Sequence, residues 1–253
     1  MSFLDEAKKW SLERARILEG LLEGRTGGAA SLRDALRRGE GPALIVEYKR
    51  CSPSAGMISL RSPEEYIEET LPYARAYSVL TEPRWFCGSL ELIPLFTPHR
   101  PVLAKDFIVG QAQLEAYRRL GASAVLLIAR MLSGGLGRLC KDATTMGLEA
   151  LVEAHNLGEA LEAYYTCPNA MLGVNSRDLA RLRVDFEGML GVVRRLRSEL
   201  GDDALIVAES GVDSPGRAVE ALEAGADALL IGTAAMRNPG LLREIWRAYG
   251  SPP

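Results

Sequence analysis

The stretch ALIVEYKRCSPSAG, residues 43–56, joins an apolar run to two charged residues of opposite sign. The run 43–46 has the composition of a buried β-strand. Because successive side chains of a strand point to opposite faces, Glu47 and Lys49 must project from the same face. The sequence SPS at 52–54 then favours a turn. The stretch therefore predicts a buried strand whose carboxyl end presents an acid and an ammonium group together.

Seven further apolar runs follow along the chain, each bounded by turn residues. The eight predicted strands cover residues 43–49, 77–81, 101–107, 124–129, 148–154, 170–175, 204–210 and 228–232, and helical patterns between them include 110–122, 185–200 and 214–226. Strands alternating with helices every ~25–30 residues indicate βαβ units and a parallel sheet. Eight units in 253 residues predict a single closed (β/α)8 TIM barrel of the α/β class. A doubly wound open sheet is the alternative, although no GxGxxG follows the first strand.

The first forty residues precede the first predicted strand. Their pattern predicts helices from Leu4 to about Leu22 and from Ser31 to Arg38, with the glycine-rich sequence GRTGG at 24–28 as a flexible joint. We therefore expect an N-terminal helical extension of residues 1–40, packed on a catalytic barrel of residues 41–253.

The bulk composition is that of a globular protein, with 47% hydrophobic residues, 25% charged residues and a net charge of −3. This balance gives no general attraction to nucleic acid or to acidic membrane surfaces. The chain start lacks the basic-then-apolar order of a signal peptide, and no apolar run approaches the ~20 residues that span a bilayer. We expect a cytoplasmic protein that binds neither nucleic acid nor membranes.

Four cysteines lie far apart in the sequence, at Cys51, Cys87, Cys140 and Cys167. None forms a CxxC pair, and the chain has only two histidines, so a zinc site has few candidate ligands. In a reducing cytoplasm such cysteines are expected to be free thiols. We therefore predict neither a metal site nor disulfides.

Polar residues stand where most of the predicted strands end. They are Glu47 and Lys49 on the first strand, Lys105 on the third, Glu153 on the fifth, Asn175 with nearby Arg177 on the sixth, and Glu209 and Ser210 on the seventh. A single charge at a strand end is usually a solvated rim residue. In a (β/α)8 barrel, however, all strand carboxyl ends meet at one face, where such enzymes carry their active sites. The set therefore predicts an active site, in which the two lysines, unlike arginine, can exchange protons.

Glycines follow the last two predicted strands, in the sequences ESGV (209–212) and IGT (231–233). Backbone N–H groups of such turns, opening into helices, can surround a phosphate group. The hydroxyl groups of Ser210 or Thr233 can add to them. An anionic substrate with a phosphate group is the predicted ligand.

The sequence VEYKRCSPSAG (46–56) resembles the signature of the indole-3-glycerol phosphate synthase family. The resemblance continues in order through SVLTEPRWFCGSLE (78–91), PVLAKDFIV (101–109), LEALVEAH (148–155), LGVNSRDL (172–179), VAESGV (207–212) and LLIGTAAMRNP (229–239). It implies a carboxy-lyase of tryptophan biosynthesis on a (β/α)8 barrel. The implied reaction converts 1-(o-carboxyphenylamino)-1-deoxyribulose 5-phosphate to indole-3-glycerol phosphate, carbon dioxide and water, with neither metal nor cofactor.

The resemblance also implies catalytic roles. Lys105 resembles the general acid that protonates the substrate ketone, and Glu153 the carboxylate that assists ring closure. Lys49 resembles the residue that holds the substrate carboxylate and later serves dehydration, with Glu47 as its partner. The orienting residues are Asn175 and Ser210. How acid and base duties divide among the lysines and Glu47 stays open, but burial and neighbouring charges are expected to tune their pKa values towards these tasks.

Substrate contacts follow from the same resemblance. They are Ser52, Gly211, Gly232 and Thr233 for the phosphate, Arg177 for the anthranilate end, and Glu209 and Leu230. Phe107 is a further candidate from its place in the loop after the third strand, where it could stack on an aromatic substrate; packing in the core is the alternative. The expected assembly is a monomer or a weak homodimer.

Three other functions remain conceivable from the residues. A Schiff-base aldolase would use Lys49 or Lys105 as a covalent nucleophile. A sugar-phosphate isomerase needs one acid and one base but no pair of lysines. A catalytically inactive binding scaffold would have no reason to keep the polar set at the strand ends.

Overall fold

Eight parallel strands close into a barrel in the computed structural model, which describes residues 2–18, 29–178 and 183–250. The strands are β1 Ala43–Tyr48, β2 Ala76–Leu80, β3 Val102–Lys105, β4 Ala124–Ile128, β5 Glu149–Ala154, β6 Met171–Asn175, β7 Ile206–Glu209 and β8 Ala228–Ile231. Each strand pairs with the next along the chain, and β8 pairs with β1 through Ala43 and Ala228. The predicted (β/α)8 barrel is confirmed, and its closure excludes the open sheet.

Helices cover the outside of the barrel. They are α1 Phe3–Leu18, α2 Leu32–Arg37, α3 Pro63–Thr70, α4 Pro83–Phe86, α5 Ile93–Phe96, α6 Gln111–Arg119, α7 Leu136–Thr145, α8 Leu157–Thr166, α9 Phe186–Leu200, α10 Pro215–Glu223, α11 Thr233–Arg237 and α12 Gly240–Ala248. The predicted helices within 110–122, 185–200 and 214–226 are confirmed. The predicted continuation to Leu22 and the joint at 24–28 lie outside the described residues. Among the helices described, none combines the length and apolar character needed to cross a membrane.

Side-chain caps fix where several barrel helices begin. The Ser62 hydroxyl accepts a hydrogen bond from the N–H of Glu65, whose carboxylate accepts one from the N–H of Ser62, a reciprocal capping box. The side chains of Asn156, Asp185 and Ser214 cap α8, α9 and α10, each by accepting one backbone N–H from the first turn. These caps set the length of the loop that leads from each strand end into its helix.

The helices before β1 contact opposite ends of the barrel. In α1, Arg14 forms an ion pair of 2.9 Å with Asp106, which follows β3 at its carboxyl end. The helix α2 begins instead beside the first residue of β5, where the Glu149 carboxylate accepts hydrogen bonds from the N–H groups of Leu32 and Arg33. The N-terminal helix α1 thus lies against the end of the barrel that carries the predicted site.

The prediction of free thiols is wrong, because the four cysteines form two disulfides. Cys51 is bonded to Cys87 and Cys140 to Cys167, with Cα–Cα distances of 5.6 and 5.7 Å. The two sequence separations, 36 and 27 residues, are close to the length of one βα unit. Equivalent positions of consecutive units are neighbours around a barrel, so cysteines far apart in sequence meet in space. Disulfides also persist in intracellular proteins of some hyperthermophiles, an exception to the compartment argument.

Candidate active site

The predicted site residues surround one cavity of about 330 Å³ at the carboxyl ends of the strands. Those lining it are Glu47, Lys49, Ser52, Lys105, Phe107, Glu153, Asn175, Arg177, Ser210, Gly211, Leu230, Gly232 and Thr233. The remaining one, Glu209, is fully buried and contacts the Lys105 ammonium. Residues spread from β1 to β8 therefore meet at one site.

Two ammonium groups share one buried carboxylate in this cavity. Lys49 Nζ lies 2.5 Å from Glu47 Oε1, and Lys105 Nζ lies 3.4 Å from Glu47 Oε2. Both lysine side chains are 14% exposed, and Glu47 is 4% exposed at its side chain. The two lysines therefore act on the same small volume, from strands β1 and β3.

The ion pairs shift the proton affinities of these groups. Burial alone would raise the pKa of the Glu47 carboxyl, but the ammonium groups of Lys49 and Lys105 outweigh it and lower that pKa to about 2. Burial alone would lower the pKa of Lys105, but the carboxylates of Glu209, Glu47 and Glu153 raise it above its usual value. These carboxylates therefore favour the charged form of Lys105. It stays an ammonium group at working pH.

Glu209 is the carboxylate that this charge balance leaves near neutrality. Its Oε2 accepts a hydrogen bond of 2.8 Å from Lys105 Nζ. Its Oε1 has no hydrogen-bond partner among the described residues. Burial raises the pKa of Glu209 to about 7, against the attraction of Lys105 and with the repulsion of Glu153 and Glu47. Three carboxylates facing two ammonium groups leave one excess negative charge, and Glu209 is the group that can take up a proton.

Two glycines leave room for these carboxylates inside the barrel. A methyl group on Gly173 of β6 would overlap Glu209 Oε1, and one on Gly232 would overlap Glu47 Oε1 and lie 3.2 Å from Lys49 Nζ. Neither position has a positive φ, so the requirement is for space and not for an unusual backbone conformation. The glycine after β8 thus has a role that its resemblance to a phosphate turn did not predict.

Glu153 is flanked by a buried imidazole. His155 Nε2 lies 3.5 Å from Glu153 Oε1, and its Nδ1 lies 3.6 Å from Glu159 Oε2 on α8. Burial lowers the pKa of His155, but the two carboxylates outweigh it and raise that pKa above its usual value. A protonated His155 would add positive charge beside the Glu153 carboxylate.

The loops after β1, β7 and β8 meet at the predicted phosphate side of the cavity. Ser210 and Gly211 both have left-handed backbone conformations, with φ of 66° and 76°. Such a conformation costs energy for serine and is typical of functional turns. Ser52 lies across from them in the turn after β1, where its hydroxyl accepts a hydrogen bond from the Ala55 N–H at 3.2 Å.

Aromatic side chains form the wall beside Lys105. Phe107 is 5% exposed, lines the cavity and packs against Phe3 of α1 and Trp85 of α4, with ring centroids 5.8 and 6.1 Å apart. Phe86 also lines the cavity. Phe107 therefore both packs in the core and faces the space for a substrate ring.

Asn175 and Arg177 connect the end of β6 to the loop after β1. The Asn175 Oδ1 accepts a hydrogen bond of 2.9 Å from the Arg177 N–H, and Arg177 Nη1 donates to Ser54 Oγ at 3.4 Å. Asn175 therefore fixes the backbone from which Arg177 reaches over the cavity.

The lining residues that the sequence interpretation missed include Phe3, Glu82, Arg217 and Arg237. Arg217 donates a hydrogen bond of 3.1 Å to the Gly211 carbonyl, and its guanidinium lies over the Phe186 ring. Arg217 and Arg237 stand within two turns of the phosphate loops, a signal that could have identified them. Phe3 arrives from the distant N-terminus, and no local pattern predicts that contact.

The sequence comparisons with known proteins agree on one family. The sequence profile described as indole-3-glycerol phosphate synthase matches residues 11–247. An indole-3-glycerol phosphate synthase of Aeropyrum pernix is 47% identical over 251 residues, covering 96% of each chain, and one of Pyrobaculum arsenaticum is 40% identical over 82% of each chain. The solved structure of a 3-hexulose-6-phosphate synthase superposes with a TM-score of 0.64 at 17% identity, over 81% of this chain and 99% of its own, which shows a shared fold.

Proposed function

Because this chain belongs to the indole-3-glycerol phosphate synthase family, we propose that the charged groups at its strand ends divide the three steps of that reaction among them. The chain is a carboxy-lyase of tryptophan biosynthesis. Its substrate is 1-(o-carboxyphenylamino)-1-deoxyribulose 5-phosphate, which undergoes ring closure, loss of carbon dioxide and loss of water. The observation that carries the assignment of residues is the pair of ammonium groups on Glu47.

Lys105 acts in ring closure. An aromatic carbon is a weak nucleophile, and it attacks a ketone only when the charge that develops on the ketone oxygen is stabilised. Lys105, an ammonium group when the substrate binds, can hydrogen-bond that oxygen and then protonate it, because an alkoxide is a stronger base than an amine. Glu153, close enough to raise the pKa of Lys105, can stabilise the positive charge that spreads over the attacking ring.

Lys49 and Glu47 act after ring closure. Lys49 holds the substrate carboxylate until carbon dioxide leaves, a step driven by the return of aromaticity in the ring. Eliminating water then needs an acid for the hydroxyl group and a base for the proton. Lys49 is the proposed acid. Glu47, with its pKa near 2, is a weak base, so its main part is to hold both lysines. Glu209, with a pKa of about 7, does not line the cavity, and it can take up the proton through the Lys105 amine left after ring closure, which it contacts.

The ends of the substrate occupy opposite walls of the cavity. The phosphate lies among Ser52, Gly211, Gly232 and Thr233, and the anthranilate ring lies against Phe107, with Arg177 and Leu230 as further contacts. Support comes from the shared cavity, which is lined both by the polar loops after β1, β7 and β8 and by Phe3, Phe86 and Phe107. Asn175 and Ser210 orient these groups.

The test is turnover of the carboxyphenylamino-deoxyribulose phosphate, followed by indole fluorescence, in buffer containing EDTA. We expect indole product and carbon dioxide in this buffer. Because borohydride also reduces the ketone of the free substrate, it is used only to trap an enzyme adduct, and we expect mass spectrometry to find none on either lysine. A reduced substrate adduct on Lys49 or Lys105 would instead support the Schiff-base alternative. Absence of indole from freshly folded protein would overturn the proposal.

A further inference from the structure

The Cys51–Cys87 disulfide joins two loops at the edge of the active-site cavity. The first, here called the hairpin loop, comprises residues 51–57 after β1, in which Cys51 and Ser52 pair with Met57 and Gly56. The second, here called the aromatic loop, comprises residues 82–88 after β2 and contains helix α4. Both loops line the cavity, the hairpin loop through Ser52 and the aromatic loop through Phe86.

Among the described residues, few contacts besides the disulfide hold the hairpin loop from outside, and one of them is the hydrogen bond of 3.4 Å from Arg177 Nη1 to Ser54 Oγ. Residues 53, 54, 56 and 57 are exposed, and the Met57 side chain is 59% exposed. Buried contacts are concentrated at its base, where Cys51 and Ser52 are each 8% exposed. A segment with few buried contacts opens easily. The disulfide at the base of the loop is therefore the main restraint on its movement.

The aromatic loop is a firm support for that bond. The Glu82 carboxylate caps α4 through the N–H groups of Arg84 and Trp85, and the Gly88 N–H donates to the Glu82 carbonyl at 2.9 Å. A methyl group on Gly88 would overlap the carbonyl oxygen of Leu80, which shows how closely this loop packs on β2. The Arg50 guanidinium adds a hydrogen bond of 2.8 Å to the Cys87 carbonyl, beside the disulfide.

We propose that the Cys51–Cys87 disulfide is a positioning element for substrate binding, which holds the base of the hairpin loop against the aromatic loop. Ser52, next to Cys51, is thereby held at the phosphate side of the cavity before substrate arrives. This inference rests on the proposed phosphate contact at Ser52. A loop that is already ordered loses less conformational freedom when the ligand binds, so cutting the crosslink weakens binding.

The second disulfide is a matched control. Cys140 lies on α7 and Cys167 directly after α8, both buried among the outer helices, and neither lines the cavity. The chain segment that it closes, 27 residues, is similar to the 36 residues closed by the first. Both crosslinks therefore restrict the unfolded chain to a similar degree, and they differ in their distance from the substrate.

The experiment compares the wild type with Cys51→Ala/Cys87→Ala and Cys140→Ala/Cys167→Ala, at a temperature where circular dichroism shows all three folded. We expect both pairs of substitutions to lower Tm. Only the first is expected to raise KM for the phosphorylated substrate, by about fivefold, with kcat changed less than twofold. Equal KM values in all three proteins would overturn the proposal, because a purely stabilising crosslink moves Tm alone.

Reduction of the Cys140→Ala/Cys167→Ala protein with tris(2-carboxyethyl)phosphine provides an independent measurement if the first variant does not fold. That protein contains a single disulfide, so reduction should raise KM to the same extent and reoxidation should restore it. Alkylation of Cys51 or Cys87 in native, unreduced wild type would contradict the crosslink itself. Failure of the wild type to turn over substrate would refute the proposed function instead. The role of the disulfide is tested separately, by the ratio of the KM of Cys51→Ala/Cys87→Ala to that of an active wild type.

Discussion

Glu209 is the carboxyl group whose protonation sets the net charge of the candidate active site near neutral pH. It is fully buried, pairs with Lys105, and faces the negative charges of Glu47 and Glu153. Burial and these neighbours raise its pKa from 4.5 to about 7. Between pH 4.5 and about 7, Glu209 is ionised in the unfolded chain but still protonated in the folded protein. Its contribution to the stability of the fold therefore falls as pH rises through this range.

The first prediction concerns Glu209→Gln and the pH dependence of stability. The raised pKa means that the contribution of Glu209 is fully present below pH 4.5 and is lost as pH rises through about 7. The free energy of unfolding of Glu209→Gln, measured with urea, should gain about 3 kcal/mol relative to wild type between pH 4.5 and 7.5. Glu199→Gln, at an exposed position of α9, is the control for the loss of one surface carboxylate. If the difference between Glu209→Gln and wild type does not change with pH, the pKa of Glu209 is not raised.

The second prediction concerns Gly173→Ala. The added methyl group must displace the Glu209 carboxylate and disturb its contact with Lys105. We expect kcat/KM to fall by about 10- to 100-fold, because small displacements of catalytic groups have effects of that size. Gly191→Ala is the control, since Gly191 lies in α9 with open space around its Cα and alanine favours a helix. Equal activity of the two variants would contradict the packing of Glu209 against β6.

At the scale of elements, the helix α1 is tied to the barrel by a buried charge network. Arg14 of α1 pairs with Asp106, which also accepts hydrogen bonds from the Tyr117 hydroxyl and the Phe107 N–H. Asp106 is 3% exposed, so it depends on these partners. We propose that residues 1–40 form an extension packed on the barrel of residues 41–253, supported by this network and by Phe3 at the cavity wall.

The third prediction concerns Arg14→Met, which leaves the Asp106 carboxylate buried without its guanidinium. Breaking a buried ion pair by removing one partner costs about 3 kcal/mol in the free energy of unfolding. Arg16→Met, two residues away on the exposed face of the same helix, should change it by less than about 0.5 kcal/mol. Chemical denaturation of both variants makes the comparison. Equal stabilities would mean that α1 is not anchored through Arg14.

At the scale of the whole molecule, the barrel and most of its active site follow from local sequence patterns. Apolar runs such as 124–128 predict strands because a parallel strand covered by helices is buried on both faces. The position of Lys105 and Glu153 at strand ends predicts their convergence, because a closed barrel brings all carboxyl ends together. These inferences need the order of elements and no knowledge of individual contacts.

Features that depend on neighbours across the barrel could not be predicted in this way. Cys51 meets Cys87 because consecutive βα units are adjacent, and an argument from the cellular compartment could not reveal that contact. The raised pKa of Lys105 results from three carboxylates contributed by β1, β5 and β7. Phe3 reaches the cavity through the packing of α1 on the barrel.

The central claim is that Lys105 is the general acid of ring closure, placed in the cavity where the carboxyl ends of the strands meet. Its most direct test is the single-turnover rate of indole formation in Lys105→Met, with Lys141→Met on an exposed helix position as control. We expect a loss of about 1,000-fold in Lys105→Met with native circular dichroism, the scale of a removed general acid, and a normal rate in the control. A folded Lys105→Met protein that forms indole at nearly the wild-type rate would contradict the account.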